Sequence, residues 1–370
     1  MLIFTLRREA RISGEAASLA FLQELLAELG MACETVPEEG LVASPVVAVA
    51  RRYARLEQVA RANDTDLLLI KIPTAAQLPF AIRATRLFRG RVVFWIDGLM
   101  WRPLAWRLML RLFSAEPLLT IARAILNNRA WMRASRNAPL ELIVASQTQR
   151  AELIRSLHAA QIHVVPNGSP TDPAPSGVAP AAAIAAPSPA PFGYIGHAYL
   201  TKGVWDLLAA YRILKERGMA LPLVFALSEL GGNRFRAELS RESVEIRGTV
   251  DKRSFYASLR ALVAPFWTDW GTQTFPNVLL ETLAFGVPVI TSDLPVCREL
   301  FGDDLAIFVR PNDPHGLART LQEIDRGERA LPNADRLREH FEKHFSRRVI
   351  RARWREILSG NASASRPAAP

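Results

Sequence analysis

The sequence predicts an α/β protein of two doubly wound, Rossmann-like domains, and three observations carry that prediction. Short apolar runs alternate with helix-period segments from the first residue; the alternation stops at a proline- and alanine-rich stretch at 169–191; it then begins again. The length of 370 residues agrees, because roughly 150 residues make one domain.

In the first series the predicted strands are 2–6, 31–36, 66–72, 91–96, 141–146 and 161–165. Between the first two, Leu19, Leu22, Leu26 and Leu29 recur at helical spacing and Gly30 supplies a C-cap. The N-terminal domain therefore spans 1–168. The stretch 169–191 holds seven prolines and one charge, so it reads as a semi-rigid linker. The second series has strands at 191–196, 221–227, 244–248, 261–266, 287–292 and 305–309, within a C-terminal domain over 192–345. Val204, Leu207, Leu208, Tyr211 and Leu214 share one helix face, stopped by Gly218. Helical segments near 333–344 and 346–359 close the fold, and 360–370 reads as a flexible tail.

Composition removes several function classes. Apolar residues make up 49% and charged residues 22%, which excludes disorder and collagen-like repeats. Cys33 and Cys297 form no CxxC or Cys/His cluster, so neither a disulfide framework nor a structural zinc site is expected, and a reducing compartment is. The start MLIFTLRREAR lacks an apolar signal segment, and no window of eighteen apolar residues occurs, so neither export nor a membrane span is expected. The net charge of 46 − 36 = +10 is concentrated: residues 83–136 hold eleven arginines against Asp97 and Glu116. Only five of the 46 basic residues are lysine, a bias that weakens arginine abundance as a sign of anion binding, and no nucleic-acid partner is expected.

Two segments carry candidate chemistry. In GYIGHAYLTKGVWDLLAAYRIL, a strand and a glycine turn lead to His197 and then Lys202 at the mouth of a helix. A helix amino end beside a cation is a phosphate site, and a lysine there works against the helix dipole, which argues for function in an arginine-biased chain. His197 alone reads equally as a loop histidine or a ligand. In APFWTDWGTQTFPNVLLETLAFGVPVITSDLP, Pro276 and Asn277 mark a helix start, with amides from about Thr274 to Leu279 open to an anion. Glu281 lies one turn in, as a ligand for paired hydroxyls or as a solvated glutamate favoured by the dipole. The pair Asp64 and Asp66 in NDTDLLLI precedes a strand at the edge away from the ligand side and reads as an exposed turn; no metal site is expected.

In order, VASQTQR…IHVVPNG, GYIGHAYLTKG, the GTV after VEIR, QTFPNVLLETLAFGVPVITSDLPVCRELF and FVRPNDPHGLART resemble the retaining glycosyltransferases of family 4, over about residues 141–326. The resemblance implies a GT-B fold, two Rossmann-like domains facing a central cleft. It places the acceptor on the N-terminal domain and the nucleotide sugar on the C-terminal one, and 346–359 becomes a helix returning to the first domain. It makes Lys202 the phosphate-binding lysine, His197 the stand-in for an arginine at the second phosphate contact, and Glu281 the ligand of the nucleotide ribose. Gln273 takes the place of a glutamate at the donor sugar, and Thr274, Phe275, Pro276 and Asn277 form the loop whose amides face the diphosphate. Asp97 is the positional substitute for a histidine near the sugar, and Gly14 falls in the first turn. Two departures from the pattern matter: the charge of His197 is conditional near pH 7, and Gln273 keeps hydrogen-bonding capacity without charge.

The reading that follows is a metal-independent retaining hexosyltransferase. It moves a sugar from a UDP- or GDP-type donor, with no further cofactor, to a hydroxyl of a glycan or lipid-linked acceptor in polysaccharide biosynthesis. The alternative is a non-catalytic protein that binds a sugar nucleotide or glycan on the same fold. Tryptophans and arginines interleave over residues 101–136, which reads either as core helices packed on the N-terminal sheet with solvated arginine ends or as helices that lie on anionic bilayers; a cytoplasmic protein is expected, peripheral at the inner face of the membrane on the second alternative.

Overall fold

The computed structural model describes residues 2–5, 14–31, 34–36, 54, 56–58, 66–72, 78–86, 88–96, 140–155, 157, 160–168, 190–227, 233–268 and 275–360. The chain divides into two compact units, Met1–Gly168 together with Ile350–Pro370, and Ser169–Val349.

The first unit carries β1 (Leu2–Thr5), α1 (Gly14–Glu28), β2 (Glu34–Val36), β3 (Leu67–Ile72), α2 (Leu78–Thr85), β4 (Arg91–Ile96), β5 (Leu140–Val144), α3 (Gln147–Ile154) and β6 (Ala160–Val164). Its six strands lie parallel in the order β2-β1-β3-β4-β5-β6. The leucines that predict α1 act as expected: Leu22 and Leu26 are buried and Leu19 and Leu29 flank them against the sheet. The helix ends in Gly30 at φ 69°, and the Met31 N–H returns to the Leu26 carbonyl at 3.0 Å. The strand predicted over 141–146 stops at Val144, because the Ser146 hydroxyl accepts from the Gln149 N–H at 3.0 Å and starts α3.

The last helix, α11 (Arg347–Leu358), supplies Ile350, Trp354 and Ile357 to the core of this unit, beside Leu69, Val93 and Trp95 of the sheet. Trp354 meets Trp95 edge to face at 5.6 Å between centroids. Its final carbonyls are taken by Arg91, which donates to Ile357 O at 2.6 Å and Leu358 O at 3.2 Å. Arg91 is held in turn by both carboxylate oxygens of Glu141, through Nε at 2.8 Å and through Nη2, and His163 Nε2 lies 2.9 Å from Glu141 Oε1. Burial alone would raise the Glu141 carboxyl, but the hydrogen bonds and charges of Arg91 and His163 outweigh it and bring it down to about 2.

The second unit has β7 (Phe192–Gly196), α4 (Val204–Glu216), β8 (Leu223–Leu227), α5 (Asn233–Leu239), β9 (Glu245–Arg247), α6 (Lys252–Ala257), β10 (Ala261–Ala264), α7 (Asn277–Phe285), β11 (Val289–Ser292), α8 (Pro295–Phe301), β12 (Ile307–Val309), α9 (Pro314–Asp325) and α10 (Ala334–His344). The sheet is parallel, in the order β12-β11-β10-β7-β8-β9. Alternate strand residues serve two cores. Phe192, Tyr194, Phe225, Val263 and Ile290 pack with α4 and α9, while Val224, Ala226, Leu262, Ala264 and Val289 pack with α7, α8 and α10. Burial on both faces explains why these strands read as continuous apolar runs.

Residues 101–136 and nearly all of 169–191 lie outside the described residues. Among the described residues no helix is long and apolar enough to cross a membrane. Asp66 is exposed just before β3, and Asp64 lies outside the described residues.

Candidate functional site

In the second sheet the chain goes from β7 to β8 on one side, and from β10 to β11 on the other. The two strands pair directly, Phe192 with Ala261 and Gly193 with Leu262. This is the topological switch point, where the connections diverge and leave a crevice beyond the carboxyl ends of the strands. The segments that leave β7 and β10 are the two singled out by the sequence, 197–203 and 265–277.

The β7 exit is fixed by short contacts. The Tyr194 hydroxyl donates to the His197 carbonyl at 2.7 Å, and Leu200–Lys202 form one 3₁₀ turn that closes with Gly203 N–H to Leu200 O at 2.9 Å. Gly203 stands at φ 70°, and a Cβ there would lie 1.7 Å from the Pro265 carbonyl oxygen. Only glycine fits, because the β10 exit passes directly over it. The half-buried Lys202 has its ammonium 5.2 Å from the Phe266 ring centroid, and burial pushes it down to about 8. Burial, aided by the Lys202 charge, also lowers the half-buried His197 below its ordinary value of 6.5, so the imidazole is neutral at pH 7.

Two residues that the sequence reading did not single out join these exits. The Trp267 N–H donates to Thr201 O at 3.1 Å, and the indole Nε1 donates to Asp206 Oδ2 at 2.5 Å. Asp206, in the first turn of α4, is only 7% exposed. Burial pushes its carboxyl up to about 6; the indole hydrogen bond opposes that rise and the Asp313 charge adds to it.

At the β10 exit, Pro276 caps α7 as the sequence predicts. The expected run of open amides is shorter than read: the Leu279 N–H is already bonded to Pro276 O at 2.9 Å, a tightened first turn. Phe275 is buried, its ring edge-on to Phe345 at 6.0 Å, so its side chain belongs to the core. Asn277 is buried at the first helical position.

Glu281 is 0% exposed, which removes the solvated glutamate of the two alternatives. Lys252 Nζ lies 2.6 Å from its Oε1, and the Tyr256 hydroxyl donates to its Oε2 at 2.8 Å. Burial, then the Glu281 charge, raises the Tyr256 phenol well above its ordinary value, so Tyr256 is a fixed donor. Both partners come from α6. The signal that marks Lys202, a lysine where the chain otherwise uses arginine, marks Lys252 as well.

The structure thus brings His197 and Lys202 together at the β7 exit, and Phe275, Pro276, Asn277 and Glu281 at the β10 exit. Gln273, Thr274 and Asp97 lie outside the described residues. Gly14 is the first residue of α1, in the first unit. Among the described residues no group of three or more metal-ligating side chains is gathered to hold a metal ion.

Nearly the whole chain superposes on solved glycosyltransferases. Anabaena HepE in complex with UDP-glucose is 17% identical, with 97% of this chain and 100% of that one covered, at a TM-score of 0.65. A glycosyltransferase from Rickettsia africae is 12% identical over 97% and 98% of the two chains, at a TM-score of 0.69. The catalytic domain of Arabidopsis thaliana starch synthase IV, bound to ADP and acarbose, is 12% identical over 99% of each, at a TM-score of 0.62. No curated protein sequence matches the chain. The chain has the GT-B fold, and residues 190–325, which hold both exits of the switch point, match the model of the Glycosyl transferases group 1 family.

Proposed function

We propose that the chain is a retaining hexosyltransferase of family 4, which moves a sugar from a nucleoside diphosphate to an acceptor hydroxyl without a metal or further cofactor. The observation that carries this is the position of Lys202: a half-buried cation at the switch point, inside the stretch that matches a glycosyltransferase family. As the bond between sugar and diphosphate breaks, negative charge grows on the leaving phosphate. A cation fixed there in advance stabilises that charge without reorganisation.

In this reading an approaching diphosphate keeps Lys202 protonated, and neutral His197 donates one hydrogen bond to the same group. Amides at the amino end of α7 face the diphosphate from the other exit. Glu281 meets the ribose beside, or in place of, the part-exposed Lys252 ammonium, while Tyr256 keeps the carboxylate aimed. Gln273 holds the donor sugar, Asp97 takes the place of the histidine near that sugar, and Gly14, in the first turn, is a binding residue for the nucleotide sugar. UDP is the first nucleotide to try, since Anabaena HepE was solved with UDP-glucose and a pneumococcal O-GlcNAc transferase with UDP and GlcNAc.

The acceptor is proposed to be a glycan or a lipid-linked saccharide met at the inner face of the cytoplasmic membrane. That part rests on the arginines and tryptophans of 101–136. It is tested by cosedimentation with anionic and neutral vesicles at low and high salt: no binding at low salt, or equal binding to neutral vesicles, removes the membrane from the reading.

The central test is thermal shift and donor hydrolysis across UDP-, GDP-, ADP- and dTDP-sugars. A ligand that binds only the folded state raises the midpoint by mass action. One donor class should do so and be turned over. Stabilisation without turnover under any acceptor condition would favour the non-catalytic reading, and no stabilisation by any of the four would overturn the transferase reading and leave only a glycan-binding protein.

A further inference from the structure

The Lys202 turn is tied to the strap that leaves β10 at three points. The backbone joins them through Trp267 N–H to Thr201 O, Gly203 yields the space that the Pro265 carbonyl occupies, and the Trp267 indole reaches the Asp206 carboxylate at 2.5 Å. The third tie is the unusual one. A carboxylate that is 7% exposed, beside the charge of Asp313 and pushed up towards neutrality, is a costly way to gain stability. An apolar side chain at the same place would secure the helix better. What the hydrogen bond adds is direction: it fixes the first turn of α4, and with it the preceding Lys202, against residues 265–268 where the chain leaves β10.

We infer that Trp267 and Asp206 are positioning residues for Lys202, holding its ammonium at the place where the leaving diphosphate develops charge. The inference rests on the glycosyltransferase reading and deepens it. Neither residue touches the reacting atoms; each acts through the turn at 200–203. Trp267 keeps the β10 strap over Gly203, and Asp206 receives the indole on the α4 side.

The test uses the full chain as wild type, Trp267→Phe, Asp206→Ala, Asp206→Asn and the double variant Trp267→Phe/Asp206→Ala. Trp267→Phe keeps an aromatic ring and loses the donor, and Asp206→Asn keeps an acceptor oxygen. Steady-state kinetics with UDP-glucose, read as UDP release, are measured at least ten degrees below each unfolding midpoint, beside UDP affinity by calorimetry. Trp267→Phe and Asp206→Ala should each lower kcat by tenfold or more with KM changed less than about threefold, since a misplaced cation costs most in the transition state. The double variant should be no worse than the poorer single one, and Asp206→Asn should recover to within threefold of wild type. Single variants with wild-type kcat, or an Asp206→Asn as poor as Asp206→Ala, would reduce the pair to a structural contact and leave the glycosyltransferase reading standing. A wild type that neither binds nor turns over UDP-glucose, nor any of the GDP-, ADP- and dTDP-sugars put through the same assay, would overturn both the positioning role and the glycosyltransferase reading.

Discussion

Two clusters of charge taken out of water, one in each unit, behave in opposite ways. In the first unit, Arg91, Glu141 and His163 satisfy one another, and the pairing drives Glu141 down to about 2, deep into its ionised form. In the second unit, Lys202 is pushed down to about 8 and Asp206 up to about 6, each towards its neutral form. Lys202 has a phenylalanine ring beside it where Arg91 has a carboxylate. Mutual satisfaction marks a group that holds structure together. On the proposed function, the Lys202 charge left in tension is the one that a bound diphosphate would pair.

The contrast is broken most sharply by deleting the two cations. Lys202→Ala should lower donor turnover by about a hundredfold or more, with no loss of unfolding midpoint. An unchanged rate in a folded variant would remove Lys202 from the chemistry. Gly203→Ala should cost about 3 kcal/mol in urea unfolding, because a Cβ cannot share space with the Pro265 carbonyl and φ is positive. A stability within 1 kcal/mol of wild type would show that the strap moves freely, against its role as an anchor. Arg91→Ala should cost about 2 kcal/mol, since it uncovers two helix carbonyls and strips a carboxylate of its partner. Turnover per folded molecule should stay the same, and a loss there would erase the distinction between the clusters.

Acid and base titrations sharpen the same contrast at smaller amplitude. Glu141 has a folded-state value of about 2 against an ordinary 4.5, so its contribution is complete above about 4.5 and is lost as pH falls towards 2. The stability gap between wild type and Glu141→Gln should therefore be at most about 3 kcal/mol at pH 7 and close over that acid window. Lys202 lies below its ordinary 10.5, so its ionised form costs stability below about 8 and the cost disappears as pH rises towards 10.5. Lys202→Met should be more stable than wild type by about 1 kcal/mol at pH 7, with the gap closing between 8 and 10.5. A gap that persists at pH 11 would point to packing instead of charge.

The parts of this arrangement that were legible in the sequence are local. Lys202 stood out because its neighbours in sequence, a strand, a glycine turn and a helix start, are its neighbours in space, and Pro276 announced α7 for the same reason. The burial of Glu281 was not legible, because its partners Lys252 and Tyr256 sit 29 and 25 positions earlier on a different helix. Trp267 and Asp206 are 61 positions apart, and nothing in either segment marks the other. Gln149 shows the same limit in the first unit: a polar residue on a short helix is fully buried because Ile96 O, 53 positions away, receives its amide at 3.1 Å. Periodicity gave the elements and their order, whereas the pairings that set charge states arise only when distant segments meet.

The docking of α11 on the first unit has a consequence for how the chain is made. A ribosome delivers β1 to β6 first, yet the face around Leu69, Val93 and Trp95 keeps a vacancy for Trp354 until residues 350–358 emerge, after the whole of 169–349. The unit that is synthesised first is thus the last to be completed. During that interval an apolar sheet face waits for its cover, so chaperone dependence and losses during translation should fall on the N-terminal unit rather than on the one that carries Lys202.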